Sequence, residues 1–134
     1  MPAEEECSDD GSILGADFLL RRLFPGRVVQ GSDGLPRITN QAFRDSADGT
    51  PLSASLAKGW ADYRALLSSF PGYGLARFAA AAARAQGQAI CRRPEPDDPH
   101  HTLVRGPKPK SVKNALVAAS ELVVTPTPER SSEP

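Results

Sequence analysis

PEPDDPHHTLVRG, residues 94–106, sets three prolines and three acidic residues directly before a short apolar run. Proline fixes φ and removes a backbone donor, so the prolines predict a stiff loop. Residues 101–104 then predict a strand that Gly106 and Pro107 end. The stretch also holds both histidines of the chain, His100 and His101. Because histidine changes charge near neutral pH, we expect a polar site where the loop meets the strand.

Short secondary-structure elements are predicted on both sides of this strand. Alternating patterns indicate strands at residues 27–30, 37–43, 52–56, 73–78, 88–92 and 121–124, and helical spacing indicates helices at 61–69, at 79–86 and after Ser111. Residues 17–24 fit both spacings and are interpreted as a short helix or turn. Because hairpins alternate with helical crossovers, the order predicts one α+β domain. Its mixed sheet would have about five to six strands, with about three short helices mainly on one face.

The domain is expected to occupy residues 13–124. A chain of 134 residues has room for one core. Residues 1–12 are acidic and small, and residues 125–134 are rich in proline and serine. Both stretches carry too little apolar surface to offset the entropy of ordering, so we expect a disordered acidic arm and a disordered tail.

Charge is balanced over the whole chain but not along it. The formal net charge is zero, so no global field attracts nucleic acid or an anionic membrane. Residues 84–113, the basic segment, hold seven basic and three acidic residues, which predicts contact with phosphate, including weak nucleic-acid binding. The alternative is a solvated face that the acidic arm partly neutralises.

The sequence favours a cytoplasmic location and no cofactor. The longest apolar runs, residues 78–83 and 122–124, are far shorter than the roughly 18 residues of a membrane span, and the acidic N-terminus is unlike a signal peptide. Cys7 and Cys91 form neither a disulfide framework nor a metal knuckle, which favours a reducing compartment. Adjacent histidines on a strand point to opposite faces, so no metal site is predicted.

A catalytic interpretation depends on the histidine pair. His100-His101-Thr102-Leu103 contains a His-x-Thr-apolar pattern that resembles half of the active site of the two-histidine phosphoesterases. In that family two such strands face each other, and one imidazole acts as base and the other as acid on a phosphodiester. This chain holds one copy, and it has neither a Gly-x-Ser-x-Gly elbow nor a nucleotide-binding glycine loop. The resemblance implies His100 and His101 as catalytic residues of a small phosphodiester- or nucleotide-handling enzyme.

Arginine outnumbers lysine in the folded part, and its guanidinium can contact phosphate or carboxylate through two parallel hydrogen bonds. Arg21, Arg22 and Arg44 belong to this set. Several arginines that converge with His101 and Gln41 would form an anion pocket suited to a nucleotide or a phosphodiester. The alternative is a coding bias that raises arginine content. The residues predicted to bind are Arg37, Gln41, Arg77, Arg92, Arg93, Arg105, Lys108 and Lys110.

A looser resemblance covers residues 37–124. RITNQAF, PGYGLARF and DPHHTLVRG, followed by a helix, resemble a family of small bacterial α+β proteins of similar length to which no activity is attached. The resemblance implies a fold shared among bacteria. Small size, charged tails and the missing catalytic motif favour a non-enzymatic adaptor. It would dock another protein of the same bacterial system through the basic segment or an exposed strand edge.

Overall fold

Eight strands make up most of the regular structure in the computed structural model, which describes residues 8–127. They are β1 (Phe18–Leu23), β2 (Val28–Gln30), β3 (Pro36–Ile38), β4 (Leu52–Leu56), β5 (Gly74–Ala79), β6 (Ala89–Arg92), β7 (His101–Arg105) and β8 (Glu121–Val124). Six of them form one sheet in the order β6-β7-β4-β1-β5-β8. β2 and β3 form a separate antiparallel hairpin.

Helical segments are few and short. α1 (Ala80–Arg84) follows β5 directly, and α2 (Lys110–Ala119) connects β7 to β8. Short 3₁₀ segments occur at Pro25–Arg27, Asn40–Phe43, Ala57–Gly59 and Tyr63–Leu67. The fold is therefore an α+β arrangement that is mostly sheet. Within residues 8–127, no helix has both the length and the apolar character that crossing a membrane requires.

Apolar side chains cover both faces of the sheet. On β1, Leu19 belongs to one buried cluster and Leu20 to another, because successive side chains of a strand point to opposite faces. The larger cluster also contains Phe43 and side chains of both α-helices. The smaller cluster contains Leu66 of the last 3₁₀ segment. β1 is therefore enclosed from both sides.

Residues 17–24 contain the strand β1 and not the predicted short helix or turn. β1 pairs with β5 along its full length and lies between β4 and β5 in the sheet. A strand covered on both faces shows a nearly continuous apolar run in place of clean alternation, and Arg21 and Arg22 blur the pattern further. Packing and pairing with its neighbours therefore outweigh an ambiguous local preference.

The prediction of a mixed sheet is wrong, because every strand pair in the six-stranded sheet is antiparallel. The connection through α1 joins β5 to β6, and the connection through α2 joins β7 to β8. Neither pair of strands is adjacent in the sheet. Helical crossovers produce parallel pairs where they join neighbouring strands, so no parallel pair forms here.

Two other predicted elements differ from the structure. The strand predicted at 37–43 ends at Ile38, and Asn40–Phe43 form a 3₁₀ segment that buries its last two side chains. The helix predicted at 61–69 is the 3₁₀ segment Tyr63–Leu67. This segment brings the Leu66 carbonyl within 2.9 Å of the Arg22 Nε on β1.

Residues 8–12, predicted as part of the acidic arm, lie along the outer edge of β6. The Asp10 N–H donates to the Ile90 carbonyl (2.8 Å), and the Ile90 N–H donates to the Asp9 carboxylate (3.0 Å). The Ile90 N–H and the Arg84 guanidinium hold the pKa of Asp9 below its usual range. Residues 1–7 and 128–134 of the predicted arm and tail lie outside the described residues.

Leu19→Ala should destabilise the fold strongly. Leu19 is 0% exposed, and truncating a buried leucine to alanine lowers the free energy of unfolding by about 2–5 kcal/mol because a cavity remains. Urea denaturation followed by circular dichroism measures the loss. Leu14→Ala is the matched control, because Leu14 is 60% exposed and its truncation should change that free energy by less than about 0.5 kcal/mol. Equal effects of the two substitutions would contradict the position of β1 in the core.

Candidate anion-binding site

Strands β1 and β4 separate after only two residue pairs, the second of which joins Leu20 to Ser55. The Arg21 side chain occupies the opening that results. Its Nη1 donates to the Ser53 carbonyl (3.0 Å), and its Nε donates to the Ala42 carbonyl (3.0 Å). The guanidinium thus replaces main-chain pairing between the two strands.

A cavity of about 460 Å³ lies where the strands separate. This volume is typical of sites that enclose a small organic ligand. We call it the arginine cavity, because four arginines line it beside three aromatic rings. Its lining residues are Arg21, Arg22, Phe24, Arg27, Gln41, Ala42, Arg44, Asp45, Ser46, Ala47, Ser53, Phe70 and Tyr73.

Aromatic rings and carbonyl groups hold the arginines in place. The Arg22 guanidinium lies 4.0 Å from the centroid of the Phe70 ring, in addition to the hydrogen bond from its Nε. The Arg27 guanidinium lies 5.1 Å from the centroid of the Phe24 ring. Cation–π contact fixes a guanidinium without neutralising its charge. Within residues 8–127, no ion pair involves any of the four cavity arginines.

Asp45 is the one carboxylate that lines the arginine cavity, and it already forms hydrogen bonds with residues outside the cavity lining. Its Oδ1 accepts hydrogen bonds from the Lys108 Nζ (2.8 Å) and from the Leu52 N–H (2.9 Å). The Lys108 side chain is only 4% exposed, and its Nζ also donates to the Val104 carbonyl (2.8 Å). Lys108 therefore offsets the one negative charge of the cavity wall, which leaves the arginines in excess.

The Arg21 guanidinium is buried and close to other cations. Burial, followed by the neighbouring Arg27 and Arg22 guanidiniums, lowers the pKa of Arg21 to about 10, and Asp45 opposes this shift. Arg21 stays protonated at neutral pH. A bound anion would offset both the desolvation and the repulsion among the guanidiniums, so the cavity is electrostatically suited to negative charge.

A smaller cavity of about 30 Å³ lies next to the arginine cavity and shares Arg21, Arg22 and Ser53 with it. Asp98 and His101 line its other side. We call it the inner cavity. Its walls combine these polar groups with Leu20, Ala54 and Leu66, and it has room for about one water molecule. It extends the site from the guanidiniums towards the loop that precedes β7.

The two histidines have different surroundings. His101 is 8% exposed, and its Nδ1 donates to the Arg93 carbonyl (2.9 Å), while the Glu95 carboxylate lies 3.8 Å from the same nitrogen. Because a carbonyl only accepts, Nδ1 carries a proton, and Nε2 of the neutral ring is a base. His100 packs edge-on against Trp60 with ring centroids 5.9 Å apart. His101 therefore belongs to the site, whereas His100 belongs to the packing around Trp60.

A buried hydrogen-bond network holds the loop before β7. Asp98 is 2% exposed, and its Oδ1 accepts from the Ser55 Oγ (3.0 Å) and from the His100 N–H (2.9 Å). Ser55 in turn accepts from the Trp60 Nε1 (2.8 Å). The stiff loop predicted from its prolines is thus tied to β4 through a carboxylate, which places His101 at the inner cavity.

Of the residues predicted to bind, the structure places one, Gln41, in the arginine cavity. Arg37 is exposed on the β2–β3 hairpin. Arg77 pairs with Glu121 and lies 4.4 Å from the centroid of the Phe18 ring. Arg77 and Arg37 are absent from the lining of the cavity.

The remaining predicted residues belong to the basic segment and have different surroundings. Arg92 pairs with Asp10 (3.0 Å), and Lys108 is buried against Asp45. The main-chain carbonyl of Arg93 accepts from His101. Arg105 lies in a more open groove of about 520 Å³ that holds no other arginine, and Lys110 is exposed at the start of α2. None of the five lines the arginine cavity.

Arg27 is the cavity arginine that sequence reasoning missed. Arg21, Arg22 and Arg44 stand among the arginines considered for an anion pocket, and the structure brings them together with Gln41. The predicted strand over residues 27–30 gave Arg27 no separate role. One sequence signal could have separated Arg27 from the strand that follows it. Arg27 comes directly after Pro25 and Gly26, which are typical turn residues.

Cys91 is buried in β6 and disulfide-bonded, although the sequence showed no disulfide framework. Disulfides are uncommon in reducing compartments, so this residue does not support the predicted cytoplasmic location. Cys7 lies outside the described residues.

Comparison of the chain with family models, with curated proteins and with solved structures gives no match. In the part of the chain that the structure describes, no group of three or more His, Cys, Asp and Glu side chains could hold a metal ion. The function must therefore be argued from the geometry of the arginine cavity and the inner cavity.

Ser55→Ala should destabilise the protein by about 1–3 kcal/mol, because Asp98 and the Trp60 indole each lose a buried hydrogen-bond partner. Trp60 is the only tryptophan of the chain, so its fluorescence reports directly on this network, and urea denaturation gives the free energy. Ser69→Ala, at an exposed position, is the control and should leave both readouts unchanged. An unchanged Trp60 emission in Ser55→Ala would contradict the network.

Proposed function

We propose that this protein is a binding module that takes up a small phosphate-bearing anion in the arginine cavity. The observation that carries the proposal is the set of four guanidiniums around one cavity whose single carboxylate is bonded to Lys108. Arginine stabilised by ring faces and carbonyls keeps N–H groups available for an incoming anion.

Phosphate fits this charge better than a carboxylate does. A phosphate dianion offers several acceptor oxygens and can contact more than one guanidinium at once. A single carboxylate has one charge and would leave most of the four guanidiniums without a partner. The cavity also contains hydroxyl and amide groups from Ser46, Ser53 and Gln41, which suits a polar organic phosphate.

The adaptor role predicted from the sequence stays a prediction, as do its protein partner in the same bacterial system and the cytoplasmic location. Ligand binding in the arginine cavity is compatible with that role. Two exposed apolar side chains, Val29 at 50% and Leu35 at 62%, lie on or beside the β2–β3 hairpin that follows Arg27.

Arg44→Gln should weaken the binding of inorganic pyrophosphate by roughly tenfold to a hundredfold, because a charged hydrogen bond is lost. Isothermal titration calorimetry measures the affinity. Arg44 is exposed and makes no hydrogen bond or ion pair with the residues between 8 and 127, so the free energy of unfolding should be unchanged. Arg37→Gln, also exposed but on the hairpin, is the matched control and should bind like the unaltered protein.

The affinity of the unaltered protein should fall as salt concentration rises, since phosphate contacts are ionic. Absence of pyrophosphate binding at low salt would overturn the proposal. Equal losses of pyrophosphate affinity in Arg44→Gln and Arg37→Gln would also overturn it, because binding would then depend on overall positive charge and not on the arginine cavity.

A second candidate function, hydrolysis of the bound phosphoester, is favoured by the position of His101 at the inner cavity. A water molecule there could give a proton to the His101 Nε2 while its oxygen forms a bond to phosphorus. The phosphorus–oxygen bond to the alcohol breaks in the same step, and the departing oxygen takes a proton from solvent. Arg21 and Arg22 would stabilise the charge on the phosphoryl oxygens.

His101→Gln tests this candidate in an assay of p-nitrophenol release from bis(p-nitrophenyl) phosphate. If hydrolysis occurs, the substitution should lower the rate roughly a hundredfold or more, because a general base is lost. His100→Gln is the control, since His100 packs on Trp60, and its rate should stay within a few-fold. No hydrolysis by the unaltered protein, or equal rates in the two variants, would remove the second candidate and leave the binding function standing.

A further inference from the structure

We infer that the ligand is a nucleoside diphosphate, with its two phosphate groups between the four arginines and its base against the aromatic wall of the cavity. This inference rests on the proposed function and specifies its ligand class. It combines two features of the cavity that a single inorganic phosphate would leave unused.

The first feature is the number of guanidiniums around the cavity. Arg21 and Arg22 are consecutive on β1, so their side chains leave opposite faces of the strand and both border the opening between β1 and β4. Arg27 and Arg44 come from the chain segments before and after the β2–β3 hairpin. Two linked phosphate groups offer acceptor oxygens to more of these guanidiniums than one phosphate group does, and one phosphate group would leave much of the 460 Å³ cavity unfilled.

The second feature is the aromatic wall. Phe24 lines the cavity and is 50% exposed, although a large apolar ring is normally buried. Tyr73 packs edge-on against Phe24 with ring centroids 5.1 Å apart, and Phe70 packs against Tyr73 at 5.2 Å. The three rings therefore form a continuous apolar surface next to the guanidiniums. A base that covers Phe24 would remove its exposed area from water and gain stacking energy.

Polar side chains line the cavity as well. Gln41 and Ser46 belong to the lining, and within residues 8–127 the one hydrogen bond of the Gln41 side chain is a long 3.5 Å contact with Asn40. An amide and a hydroxyl in the lining can bond to ribose hydroxyls or to the edge of a base. The guanidiniums, the aromatic rings and these polar groups together match the phosphate, base and sugar of one nucleotide.

Isothermal titration calorimetry of the full chain with orthophosphate, pyrophosphate, ADP, GDP, CDP and UDP tests the inference. Pyrophosphate should bind more tightly than orthophosphate, and at least one nucleoside diphosphate should bind roughly tenfold or more tightly than pyrophosphate. If pyrophosphate binds but no nucleotide binds more tightly, the inference is overturned and the proposed function survives. If none of the six binds, both are overturned.

Phe24→Ala separates the base from the phosphates. Because the Arg27 guanidinium also rests on this ring, both affinities can fall, but the affinity for the preferred nucleotide should fall roughly tenfold more than the affinity for pyrophosphate. Leu14→Ala is the matched control, because Leu14 is similarly exposed but lies away from the cavity. Phe24→Leu is a second variant, because leucine retains an apolar side chain of similar size but removes the aromatic ring on which a base can stack. Nucleotide binding that both Phe24 variants leave unchanged would contradict the inference.

Discussion

The structure depends on the separation of β1 from β4 and on the buried guanidinium that fills the opening. β1 follows β5 along its whole length, so the sheet stays continuous on that side. On the other side the two strands part, and Arg21 satisfies the Ser53 and Ala42 carbonyls in place of main-chain partners. A buried charge is costly unless it is hydrogen-bonded, and these bonds are what keep Arg21 in the opening. The Arg21 guanidinium therefore both stabilises the opening, through these hydrogen bonds, and gives it a positive charge.

The neighbouring segments determine whether the positive charge of Arg21 and of the other cavity arginines is neutralised. The loop after β7 brings Lys108 to Asp45, so the nearest carboxylate is occupied by a partner outside the arginine cavity. Burial lowers the pKa of Lys108, and Asp45 opposes that shift. The arginines rest on aromatic rings and carbonyl groups, which hold their positions without removing their charge.

Local sequence patterns predicted the elements whose signals are independent of distant parts of the chain. β4 and α2 show clear periodicity, and Pro71 and Gly72 mark the end of the segment before β5. The sequence did not reveal β1, because its apolar run is also compatible with a helix. Its two arginines are explained only by the separation of β4 from β1, which the sequence does not show. The antiparallel order also depends on which strands become neighbours, and short-range spacing does not contain that information.

The candidate site was partly accessible to sequence reasoning. The stiff loop and His101 at the start of β7 are where the prolines and the apolar run indicate, and the structure adds that His101 faces the inner cavity beside Arg21. Charge counted along the chain does not include ion pairs such as Arg92 with Asp10, so binding through the basic segment stays a prediction. Convergence of arginines is set by strand register, which a single sequence does not reveal.

The most direct test of a prepared anion site is nuclear magnetic resonance of the arginine Nε–Hε groups during titration with pyrophosphate. The account predicts that the resonances of Arg21 and Arg22 shift and saturate together, while those of Arg92 and Arg105 stay in place. Shifts confined to Arg92 and Arg105, with Arg21 and Arg22 unmoved, would contradict it.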